Sequence, residues 1–177
     1  MSISIPEGTP TLQRTNVMVV LTVADMLAPK LATEINHASS KNISCHLFAE
    51  AWNPTGSTGK GSRKARMCTD GMIETLQRTT YTVPDLMYTH DPQAADGAVG
   101  NEARAILVPG TVLYLVERQG LPMSTAWAVA QRTRTHKVRL GAQIRSGDLT
   151  DENGEYYISQ TLVYSVLTGP VDGVIAA

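Results

Sequence analysis

The chain has 177 residues, with fifteen Lys and Arg against sixteen Asp and Glu, and 42% of it is apolar. That length suits one domain, expected to span residues 1–177, and the apolar share is enough to bury a core. A net charge of −1 supplies no global field toward nucleic acid or an anionic membrane. The N-terminus also lacks the basic-then-apolar pattern of a secretory signal, so a soluble protein made in the cytosol is expected.

Taken in order, Val17 to Val23 is β-branched enough for a strand and far too short to span a bilayer. Pro29 to His37 suits a short helix, with Pro29 in its first turn and Leu31 and Ile35 one turn apart. Asn42 to Phe48 alternates: Ile43, Cys45 and Leu47 share one face and Asn42, Ser44 and His46 the other, the period of a half-buried strand. Cys45 and Cys68, the two cysteines, form neither a CxxC pair nor a metal-ligand spacing, so both read as small buried hydrophobes.

Residues 49–72 lack a regular pattern and read as a long loop or arm. Within them, "NPTGSTGKGSRKAR" (Asn53 to Arg66) invites comparison with a phosphate-binding loop. Pro54, which has no N–H, stands where that motif needs its first glycine, and Gly61 stands where a Ser or Thr must hold magnesium. Nucleotide binding is therefore set aside. Lys60, Arg63, Lys64 and Arg66 put four cations into seven residues, either a solvated tip or a contact for acidic groups of a partner.

Arg78 to Val83 reads as strand, ended by Pro84, and residues 85–100 form a second long irregular segment. Asn101 suits an N-cap, Ala103, Ile106 and Leu107 share a helical face, and Pro109-Gly110 stops the helix. Thr111 to Arg118 is strand material. Residues 124–146 are mixed: Ala126 to Gln131 could be helical, but Thr133, Thr135, Val138 and Ile144 favour strand overall.

The acidic run from Asp148 to Glu155 misses the ligand positions of an EF-hand loop. Asp151-Glu152-Asn153-Gly154 reads as a turn into a strand from Glu155 to Val166, in which only Gln160 and Val163 break the alternation. His37, His46, His90 and His136 are scattered, and no HExxH, GxSxG or GxGxxG pattern occurs. The chain thus reads as non-catalytic, with no cofactor and no metal. It is expected to be mainly β: two packed antiparallel sheets with one or two short helices and long loop arms.

In order, the motifs resemble those of the major tail tube proteins of long non-contractile-tailed bacteriophages, of the actinobacteriophage type. Ala28-Pro29 leads into Leu31-Ala32-Thr33-Glu34-Ile35-Asn36, then Ile43-Ser44-Cys45. Arg66-Met67-Cys68-Thr69 closes the long loop, and Thr80-Tyr81-Thr82-Val83-Pro84-Asp85-Leu86-Met87-Tyr88 runs on to Asp91-Pro92-Gln93. Asn101-Glu102-Ala103, Pro109-Gly110-Thr111, Tyr114-Leu115-Val116-Glu117-Arg118-Gln119-Gly120 and Ile158-Ser159-Gln160-Thr161-Leu162 complete the series. The resemblance covers roughly residues 25–168. The basic form of the 53–66 loop departs from the pattern.

The resemblance implies a virion protein that forms six-membered rings stacked head to tail, with inner strands closing into one barrel through which DNA passes without specific binding. It also implies tape measure and tail-terminator proteins as partners, with assembly in the host cytoplasm and no membrane. The 53–66 arm would then reach an adjacent subunit. The alternatives at this stage are a capsid decoration or tail-terminator protein that closes as one ring, and a small ligand-binding β-domain with a single apolar pocket.

Overall fold

The computed structural model describes residues 13–64, 67, 73–150, 152, 154–165 and 169–177. They form a mainly β structure, as the sequence implies: a curled seven-stranded sheet, a separate two-stranded sheet, and a few short helical turns.

The main sheet runs β2 (Lys41–Asn42), β1 (Thr15–Val20), β6 (Val112–Gln119), β7 (Arg132–Gly147), β8 (Tyr156–Tyr164) and β5 (Leu86–Thr89). β9 (Val171–Val174) pairs with the first residues of β7, and every pairing is antiparallel. The second sheet is the hairpin of β3 (Thr55–Arg63) and β4 (Ile73–Thr82).

Both faces of β1 and β6 are covered, and the chain shows it as unbroken apolar runs. On one face Val17, Val19, Leu113, Leu115, Val138, Leu140, Ile158 and Leu162 pack with Leu86, Tyr88 and the helix α1 (Glu102–Ile106), which contributes Ala103. On the other, Met18, Val20 and Val116 pack with Ile35 and Ile175. Burying both faces is what makes these strands the centre of the fold.

The strand expected over Asn42–Phe48 is not formed. Only Lys41 and Asn42 pair with β1, and the chain then turns, with the His46 and Leu47 N–H groups donating to the Ile43 carbonyl. The cause is local: the Asn42 carboxamide oxygen accepts from both the Ser44 N–H (3.0 Å) and the Ser44 hydroxyl (2.7 Å), which competes with a ladder. Ile43 is buried in the core while Cys45 is exposed, so Cys45 is not the buried hydrophobe its sequence position suggests.

The irregular reading of residues 49–72 and 85–100 also needs correction. Thr55–Arg63 is strand, paired with Ile73–Thr82, and Leu86–Thr89 is strand, paired with β8. The helix expected over Pro29–His37 forms as one π-helical turn, Leu31–Ile35, and residues 126–131 are not helical. In β8, Gln160 is no break in the pattern: it points inward with Ile158 and Leu162, and its amide donates to the carbonyls of Leu107 (3.1 Å) and Gly141 (2.9 Å). Asp148 N–H donates to the Glu155 carbonyl at the head of the β7–β8 connection. Asp151 and Asn153 of the expected turn lie outside the described residues.

Candidate assembly interface

The β3–β4 hairpin holds Lys60 and Arg63, two of the four cations singled out in the basic segment. Its strands, nine and ten residues long, extend about 30 Å at strand rise. Neither strand pairs with the main sheet, so both outer edges of the hairpin carry unpaired backbone groups among the described residues.

Register fixes which side chains share a face. Thr58 pairs with Thr79 and Lys60 with Leu76, leaving Gln77 and Arg78 together opposite Gly59 as a bulge. One face therefore carries Tyr81, Thr79, Leu76 and Glu74 with Gly56, Thr58, Lys60 and Ser62. The other carries Thr82, Thr80, Arg78, Gln77 and Thr75 with Ser57, Gly59, Gly61 and Arg63. Gln77 lies across Gly59 and Gly61, where a Cβ would come within 2.8 and 2.6 Å of its amide atoms, so a side chain at either position would push the exposed end of Gln77 aside.

This geometry divides the cation run. Lys60 and Arg63 point to opposite faces, Lys64 follows the end of β3, and Arg66 lies outside the described residues. The hairpin is anchored at its root, where Tyr81 sits against Gly169 and Val83 enters the core. Trp52, just before β3, presents its ring edge-on to His136 with centroids 5.3 Å apart.

Beneath that root lies a buried polar chain. Glu117 of β6 approaches His136 Nε2 at 3.2 Å, and the other ring nitrogen lies 3.0 Å from the Tyr164 hydroxyl. The Gln119 amide donates to Glu117 at 2.7 Å. Burial alone pushes the Glu117 carboxyl up, but the hydrogen bonds from His136 and Gln119 and the charge of the imidazole together bring it below its ordinary value. Burial pushes the Tyr164 phenol up to about 12. Glu117 also borders a cavity of about 540 Å³ with Trp52, Phe48, Arg134 and Met123, a lining too polar for the single apolar pocket of a small carrier. Nothing in the sequence marked this trio, because its members lie on three strands.

The motif positions of the resemblance have structural duties. The Glu34 carboxylate accepts the N–H groups of Ala24 and Lys30, both at 2.8 Å, and so closes the turn that begins at Pro29. The buried Tyr88 hydroxyl donates to Gln160 at 3.1 Å, and burial raises its pKa. Asp85, after Pro84, lies 3.4 Å from the Thr161 hydroxyl.

Asn101 makes no cap bond to α1. Its oxygen instead accepts from the Asp91 N–H at 3.0 Å and lies 2.9 Å from His90 Nδ1, while its amide donates to the Asp91 and Ala94 carbonyls, clasping the turn that contains Pro92. Gly110 and Gly120 take positive φ of 79° and 85° at the two ends of β6. Cys45 lies 3.8 Å from Met123 sulfur, and Cys68 is outside the described residues.

The chain matches one family model, described as phage tail tube protein, over residues 3–177. The chain belongs to the phage tail tube protein family. No curated protein and no solved structure matches it. Membership makes this a structural component of a phage tail, hence of the virion, and implies homo-oligomeric assembly into a tube. Within that frame the hairpin and the open sheet edges are candidate contacts between copies, and the buried trio is part of the scaffold that carries the hairpin.

Proposed function

We propose that this tail tube protein assembles as six-membered rings that stack into the hollow conduit for phage DNA, the whole chain acting as one non-catalytic tail tube domain. The observation that carries the reading is the β3–β4 hairpin: two long strands, exposed on both faces, paired with each other and, among the described residues, with no further strand. A two-stranded hairpin is marginal by itself in water, so a second chain is the natural source of its stability. Residues 143–147 of β7 are paired, among the described residues, only with β8 and offer a second free edge, suited to joining neighbours within a ring.

In this reading the hairpin reaches an adjacent subunit, with Lys60, Arg63 and Lys64 toward its end and the cation run continuing in sequence to Arg66. DNA slides through the lumen without base readout, and assembly takes place in the host cytoplasm with tape measure and tail-terminator proteins. The actinobacteriophage type rests on the motif resemblance. The test is negative-stain electron microscopy of the purified protein at high concentration, beside size-exclusion chromatography. Long hollow tubes of uniform width are expected. Discrete particles of one to three chains at every concentration, or single rings that never stack, would overturn the proposal.

A further inference from the structure

We infer that the hairpin meets a second copy of this chain through one face only, the face that carries Leu76, and that Leu76 is the apolar anchor of that contact. The inference rests on the tube-forming reading above and specifies how its arm engages.

The two faces differ in kind. The first presents two large apolar side chains, Tyr81 at the root and Leu76 toward the tip, 40% and 79% exposed respectively. Tyr81 is partly used by its own chain, against Gly169, whereas Leu76 stands free on the same face further out. Lys60 is its cross-strand partner and Glu74 lies two residues along, so the apolar side chain is flanked by one cation and one acid. The described side chains of the opposite face are all Thr, Ser, Gly and Gln apart from Arg63 and Arg78, with no acid.

A protein partner favours the first arrangement. Contacts between proteins gain most from a central apolar group with a balanced polar rim, and a charge pair of both signs suits a surface that itself has both. Over its described side chains the second face is hydrophilic and carries Arg63 and Arg78 with no acid, so burying it gains less: Gln77 fills the space above the glycines within the chain, and the arginines would lose water. The occupant is a second copy because the family assembles as a homo-oligomer and the hairpin finds no further strand partner among the described residues.

Leu76→Asp and Arg78→Ser, made separately in the full chain, test this by electron microscopy and sedimentation beside wild type. Circular dichroism of each variant checks its fold. Leu76→Asp is expected to raise the concentration needed for tubes by about tenfold or more, the scale of losing one buried leucine, while Arg78→Ser leaves it unchanged. Equal effects of the two, or an effect of Arg78→Ser alone, would overturn the choice of face. A photo-crosslinking residue at position 76 supplies a readout that does not depend on disruption: crosslinks between chains in wild-type-like tubes are expected, and crosslinks confined to one chain would sink the inference. Failure of wild type itself to form tubes would instead count against the assembly reading, so the two failures are told apart.

Discussion

The central sheet and the β3–β4 hairpin are built of the same element but stabilised from different sources. In the sheet, β1 and β6 lie between apolar layers on both faces, and the short outer strands leave little free edge: β2 has two residues, and β5 is covered by the 46–48 segment through the Phe48 and Thr89 N–H bonds. In the hairpin nearly every side chain is exposed and both edges are open. The difference teaches where each region's stability comes from. The sheet is stable through its own packing, and the hairpin has ordering entropy to offset that its own contacts do not cover. A chain made this way is a self-packed body carrying an arm that, on the proposed reading, another copy completes.

The sharpest way to break that contrast is at the buried Glu117. Glu117→Ala takes from the buried His136 ring its hydrogen-bond partner and leaves a void inside the sheet, together expected to cost about 3–5 kcal/mol in urea unfolding, measured at concentrations below tube formation. Glu117 also sets a pH dependence. Its folded pKa lies below the ordinary 4.5, so its contribution is fully present above the unfolded value and is lost as pH falls through the lower folded one. The urea midpoint should therefore drop on acidification below about pH 4.5, and less steeply in Glu117→Gln. A wild-type midpoint that does not move through that range would remove the hydrogen-bonded Glu117 carboxylate from the account.

Next in size is a direct comparison of leucines. Leu113→Ala, in the core between β1 and β7, is expected to cost about 2–5 kcal/mol, and Leu76→Ala, on the hairpin, within about 0.5 kcal/mol in the same assay. Similar values would mean that the hairpin is packed by its own chain, and the division between body and reserved arm would fail.

That division also explains what could be read from the chain beforehand. Strands with a buried face declare themselves: Val17–Val20 and Leu113–Val116 by apolar runs, Ile158 to Leu162 by alternation. The hairpin does not, because a strand with no buried face has no apolar period, and Thr55 to Arg63 looks like a flexible loop. The cation run was visible as a cluster but not its division between faces, which depends on the register and the bulge opposite Gly59. Asn42–Phe48 shows the converse error: the alternation is real, yet the Asn42–Ser44 hydrogen bonds convert it to a turn. The trio of Glu117, His136 and Tyr164 is brought together only by cross-strand pairing of β6, β7 and β8, for which sequence spacing holds no signal.

Asn101 gives the smallest of these effects and a finer test of what a motif residue is for. Its place before α1 suggests an N-cap, where Ser or Thr would serve about as well as Asn. The structure gives it a different duty, since it uses both ends of its carboxamide to hold residues 90–94 and its side chain makes no bond to the helix. A hydroxyl is too short and has too few donors to do that. Asn101→Ser is thus expected to cost about 1–3 kcal/mol, with faster amide exchange in residues 91–98 and α1 left intact. If the loss appeared instead as fraying of α1, with exchange in the 91–98 segment unchanged, Asn101 would be a cap after all, and that turn would owe its shape to the proline and glycines alone.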